Sequence, residues 1–147
     1  MSRSKFIFLS LFWGTIMSFI GVIAAIGLLI TGHKPKKYGY CYHFEVDKAL
    51  GGVSLGCVII TGKNASTHTK DHEHGHALQN CIYGPLMLFV IGIPSFIRCQ
   101  YYNMRYKLGM KNKDYDSIWF EGDATKRGTQ FMNAFRAAER NTNDQDR

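Results

Sequence analysis

The sequence predicts an α+β fold, mainly helical with a short strand region, following an N-terminal transmembrane helix. Three stretches carry that expectation: an apolar run over residues 6–30, a β-branched and glycine-bearing stretch over residues 50–60, and a polar, histidine-rich segment beyond it whose spacing is helical. A chain of 147 residues with 46% hydrophobic content holds one modest domain beside a membrane segment, and no second domain of ordinary size. The organisation read from it is a transmembrane anchor at 1–32 and a domain at 33–140. The domain contains an apolar, membrane-dipping segment at 86–97, and a polar tail follows at 141–147.

The apolar run follows Arg3 and Lys5 and is closed by Thr31, Gly32, His33, Lys34, Pro35, Lys36 and Lys37. As one helix rising about 1.5 Å per residue it is long enough to cross a bilayer core of about 30 Å. A cleavable signal peptide has an apolar part of only about 7 to 15 residues, so an anchor is the better reading. Lys34, Lys36, Lys37 and Lys48 after the run outnumber Arg3 and Lys5 before it, which places the C-terminal domain on the cytoplasmic side. The net charge of +7 is spread without a long basic run and fits a negatively charged membrane surface; no nucleic-acid motif accompanies it. Cys41, Cys57, Cys81 and Cys99 form no Cys-x-x-Cys pair and read as free thiols.

Residues 38–44 are aromatic and read as strand or irregular chain. Residues 50–60 read as a strand whose glycines mark either bulges or a close backbone approach. A polar loop leads to the next helix, with Thr69 as its cap, Asp71 near its positive end and Gly84-Pro85 as its stop. Residues 86–97 are apolar and short for a span, so they are a buried or membrane-dipping helix, or else a second pass. Tyr101, Tyr102 and Tyr106 beyond them suit an interfacial level.

The chemistry is concentrated in Asp71-His72-Glu73-His74-Gly75-His76-Ala77-Leu78-Gln79-Asn80. At about 100° per residue His72, His76, Gln79 and Tyr83 share one stripe, while Gly75, Leu78 and Ile82 share the adjacent packing face. One helical turn between His72 and His76 lets both imidazoles reach a single metal ion, with Glu73 beside them to engage a water. His74 points away from the stripe and His68 lies in the preceding loop, and both are read as solvated polar positions. Downstream, Asp116 or Ser117 is positioned to cap a helix that carries Glu121 among Ile118, Trp119 and Phe120, with Thr125 one turn above. A carboxylate among aromatics needs a partner, and a zinc ion on His72 and His76 is one; Glu121 then completes three ligands and leaves a fourth position open. Asp123, Lys126 and Arg127 read as a solvated face.

His72-Glu73-His74-Gly75-His76 followed by Trp119-Phe120-Glu121-Gly122-Asp123-Ala124-Thr125 resembles the gluzincin metallopeptidases, particularly the aminopeptidase N-like group. One residue fewer separates Trp119 from Glu121 than in that group, and Thr125 stands where thermolysin-like members carry a supporting aspartate. The whole chain also resembles small membrane-anchored bacterial proteins bearing the same two motifs. The resemblance implies a minimal zincin-like domain binding one zinc ion through His72, His76 and Glu121. Glu73 is then the catalytic base, with Gln79 and Tyr83 lining the site, and a strand edge beside the active-site helix receives extended peptide. The expected function is a membrane-anchored zinc metallopeptidase whose partners are membrane lipid and a peptide or protein substrate, with no nucleic acid. An oxyanion donor is sought among Tyr83, Tyr101 and Tyr115. A non-catalytic metal-binding or sensing membrane protein and a structural membrane subunit are the alternatives.

Overall fold

A computed structural model describes residues 1–47, 51–111 and 114–145. Lys48 and Leu50, used above for orientation and strand start, lie outside the described residues, as do Lys113 and the last two positions of the tail.

The apolar run does not form the single helix expected of it. Helix α1 (Arg3–Phe8) is capped by Ser2, whose hydroxyl accepts from the Lys5 amide at 3.3 Å, and it continues into a π-helical turn over Leu9–Trp13. Helix α2 (Thr15–Ile30) then departs at 97°. Polar residues inside the run hold the corner. Ser18 donates to the Ser10 carbonyl at 2.6 Å, and the Trp13 indole donates to the Ile82 carbonyl at 3.2 Å. At the break, a side chain on Gly14 would strike Asn80. Among the described residues no single helix is long and apolar enough to cross a membrane; two bent pairs are, by length and composition, and this is the first.

Four strands follow: β1 (Lys36–Tyr38), β2 (Cys41–Val46), β3 (Gly52–Leu55) and β4 (Val58–Gly62). They form one mixed sheet in the order β1-β2-β4-β3, with β2 and β4 parallel and the other pairs antiparallel. The stretch read as one strand over residues 50–60 is therefore a hairpin, reversed at Gly56, whose φ of +65° suits a residue without a Cβ. Strand β4 is buried along its whole length, which is why Val58-Ile59-Ile60 reads as continuous rather than alternating. On one side Phe44, Val58 and Ile60 pack against Ala24, Ala25 and Leu28 of α2. A second cluster joins Ile59 and Cys41 to Phe6, Ala77, Leu78 and Cys81.

Helix α3 (Thr67–Tyr83) begins earlier than expected, because Ser66 rather than Thr69 is its cap and accepts from the Thr69 amide at 3.1 Å. It ends as expected at Gly84. A 3-10 turn at Gly84–Leu86 and a π-helical turn at Leu88–Gly92 then lead into α4 (Ile93–Lys107), bent by 117° from α3, the second bent pair. After a 3-10 turn at Tyr115–Ser117, α5 (Trp119–Gln145) runs back across α3 and carries helix into the expected polar tail. The crossing is close because Gly75 and Gly128 have no side chains: a Cβ at either would collide with the carbonyl of Ala124 or Asp71. Arg136 of α5 clasps Asp71 through both carboxylate oxygens, at 2.6 and 3.1 Å, and Tyr38 of β1 donates to the same aspartate. The result is a mainly helical α+β domain with a small mixed sheet, as the sequence predicts.

Candidate metal centre

The α3–α5 crossing decides where the chemistry sits. It brings His72 and His76, one turn apart on α3, against Glu121 in the first turn of α5, and all three are buried. One ligand atom from each lies within 4.8 Å of the others. Glu121 Oε2 is 3.1 Å from Nε2 of both His72 and His76, and the two rings stand edge to face with centroids 4.7 Å apart.

The far side of each ring determines which nitrogen carries its proton. Gln79 Nε2 donates to the Phe120 carbonyl at 2.8 Å and to Asp123 Oδ2 at 2.9 Å, and both of these can only accept. Its Oε1 therefore faces His76 Nδ1, at 2.8 Å, and makes that nitrogen a donor. Thr125 spends its one hydroxyl proton on Asp116 Oδ2 at 2.9 Å, so at 2.7 Å its oxygen accepts from His72 Nδ1. With both Nδ1 atoms protonated, both Nε2 lone pairs and a carboxylate oxygen converge on one point. Three acceptors face one another there, an arrangement that needs positive charge among them.

The titration of the cluster reports the same demand. Burial alone would raise the Glu121 carboxyl, but when a proton rather than a metal ion lies between Oε2 and the two Nε2 atoms, the hydrogen bonds it makes to Glu121 outweigh burial and hold the group well below the usual carboxylate range. His76 is pulled down by burial, yet Glu121, Glu73 and Gln79 together leave it raised. Glu73 is raised by its burial, an effect that His76 and His72 partly oppose and Glu121 reinforces. Two imidazoles and a carboxylate suit zinc among other divalent ions, and the second bond on each imidazole, to Thr125 or Gln79, is the support that metal-ligating histidines have. His72, His76 and Glu121 can hold a metal ion.

A cavity of about 900 Å³ opens over this cluster, with His72, Glu73 and His76 on its floor and β3, α2 and the segment from Met87 to Phe96 around it. Glu73 lies against Gly52 of β3, where any side chain would displace its carboxylate. Strand β3 is one of the two edges of the sheet, β1 being the other.

Of the residues singled out from sequence, His72, Glu73, His76 and Glu121 come together. Gln79 stands behind His76 rather than in the cavity, and half-buried Tyr83 packs against Trp119 and the cluster around Met17, Met87 and Phe120. Neither Tyr83 nor Tyr101 lines the cavity, and the side chain of Tyr115 is outside the described residues. His68 lies on α3 and is exposed. His74 is no surface group: it is fully buried between Phe6 and Phe131, with ring centroids 6.1 and 4.5 Å away, and accepts from the Tyr40 amide at 3.3 Å. Asp123 is not simply solvated either, since it anchors Gln79 and pairs with Arg127 at 2.6 Å. Asp116 supports Thr125, a role that its reading as a helix cap did not include. Its separation from Thr125 and His72 along the chain left no local signal.

No protein-family model, curated protein or solved structure matches the chain, so the gluzincin resemblance rests on its two motifs and the donor set they bring together.

Proposed function

We propose that this chain is a membrane-attached, zinc-dependent peptidase holding one zinc ion through His72, His76 and Glu121. The observation that carries the reading is the hydrogen-bond accounting above: both Nδ1 atoms are committed elsewhere, and three acceptors converge on one buried point beneath an open cavity. A zinc ion bound there supplies Lewis acidity to a carbonyl and acidifies a water. The remaining work falls to the chain. Glu73, on the cavity floor with its carboxyl raised by burial, takes a proton from water and returns it to the leaving amine, and a raised pKa suits both halves of that task. Gly52 gives the carboxylate room, and the edge strand β3 offers backbone groups along which an extended peptide can lie. The exposed apolar faces of α1, α2 and α4 support attachment to membrane lipid.

Metal analysis of three chains tests the assignment. The wild-type chain should purify with stoichiometric zinc. Glu73→Gln should keep the zinc while hydrolysis falls about 10²-fold or more. Glu121→Gln should lose affinity for zinc, and activity with it. Zinc lost in Glu73→Gln but retained in Glu121→Gln would reverse the two roles and sink the reading. A wild-type chain without zinc would remove it altogether, and zinc held without hydrolysis of any peptide would leave a metal-binding or sensing protein.

A further inference from the structure

The cavity is unusual in its division of labour. Its floor is polar, but its walls come from the two bent helical pairs: Met17 of α2, Met87 beside the second bend, and Leu88 and Ile91 of the π-helical turn after it. At the mouth stand Ile20 and Phe96, 38% and 64% exposed, and both belong to the apolar outer faces of α2 and α4. The lining is therefore continuous with the exposed apolar surface, so a substrate entering this way meets hydrocarbon before it meets the histidines.

A second, independent feature points to a polar group of the same guest. Ser54 lies on β3 two residues after Gly52, hence on the same strand face, and lines the cavity at 8% exposure. Its hydroxyl has no hydrogen-bond partner among the described residues. A buried hydroxyl left unpaired is costly, so such groups are ordinarily satisfied by something. A peptide backbone amide or carbonyl passing along β3 is placed to satisfy it.

We infer that the substrate is an apolar peptide segment, with a bulky aliphatic or aromatic side chain seated between Met17, Met87, Leu88 and Ile91 and its backbone hydrogen-bonded to Ser54. The inference rests on the peptidase reading for the scissile step, but not for binding. Burying a leucine or phenylalanine side chain is worth about 1.5–3 kcal/mol, which corresponds to roughly a 10- to 150-fold preference over a small polar residue.

The test uses two blocked peptides identical except for a central Leu-Phe or Ser-Asn pair. Binding to the zinc-loaded Glu73→Gln chain in detergent micelles is followed by anisotropy, with binding to micelles alone subtracted. The apolar peptide should bind at least tenfold tighter. Leu88→Gln, at a half-buried wall position, should shrink that ratio to within threefold at unchanged zinc content. Ser54→Ala should weaken both peptides severalfold and leave the ratio intact. Equal binding of the two peptides by the Glu73→Gln chain overturns the inference, and that comparison decides the matter even if Leu88→Gln fails to fold. Tight apolar binding by a chain whose wild-type form cuts neither peptide would uphold the pocket and dismiss the peptidase.

Discussion

At the scale of single residues, the site depends on what lies behind the histidines as much as on what lies before them. Thr125 passes the charge of Asp116 to His72, so Thr125→Val should weaken metal affinity about 10- to 100-fold while Thr125→Ser stays near wild type, as measured by competition with a chromophoric chelator. His74 carries a separate consequence. Burial lowers it from 6.5 to about 4, with Asp71 opposing. Between those values the unfolded chain binds the proton and the folded chain does not. The contribution is complete above pH 6.5 and is lost as pH falls towards 4, on the order of 3 kcal/mol. With chelator present, urea midpoints of His74→Phe should vary less over that window than those of the parent. The one-turn spacing of His72, Glu73, His76 and Gln79 was legible because a helix repeats locally. The Asp116–Thr125–His72 chain was not, because its members meet only once α5 has crossed α3.

At the scale of elements, the α3–α5 crossing is what the metal centre is built on. Gly75 sits between the two histidines in sequence and touches the Ala124 carbonyl, so Gly75→Ala must push the helices apart. The expected loss is about 1–3 kcal/mol of stability, read from the Tm, together with weakened metal binding as Glu121 retreats from both rings. Unchanged Tm and metal affinity would show that the crossing tolerates a methyl group there. The C-terminal stop of α3 was written in Gly84-Pro85. The corner at Gly14 was hidden by a hydropathy pattern that looked uninterrupted: Ser18 bonds back to Ser10, Trp13 reaches the Ile82 carbonyl, and Gly14 itself meets Asn80, far along the chain. The β3–β4 hairpin was hidden for a local reason: both strands are short, and Gly56-Cys57 between them lacks the Asn-Gly or Asp-Gly pair that signals a hairpin most strongly.

At the scale of the molecule, α1, α2, α4 and the π-helical turns at Leu9–Trp13 and Leu88–Gly92 turn outward a surface that water does not favour, including Phe8, Phe12, Phe19, Ile30, Phe89 and Phe96. The chain should sediment with membranes and stay there after carbonate washing. Half-exposed Trp13 at the first corner should be quenched by brominated lipid. Recovery in the carbonate supernatant, or an emission from Trp13 that ignores the bromines, would separate the apolar surface from lipid.

The order in which the donors occur along the chain sets a schedule for its maturation. Two histidines emerge from the ribosome on α3, while their carboxylate partner and the hydroxyl that orients one of them belong to the last helix. At synthesis rates of about 5–20 residues per second, several seconds separate the first ligands from the third. A nascent chain lacking α5 holds only a loose pair of imidazoles, so tight metal capture belongs to the closing moments of folding. An ion held by all three donors can therefore be captured only after α5 has docked against α3.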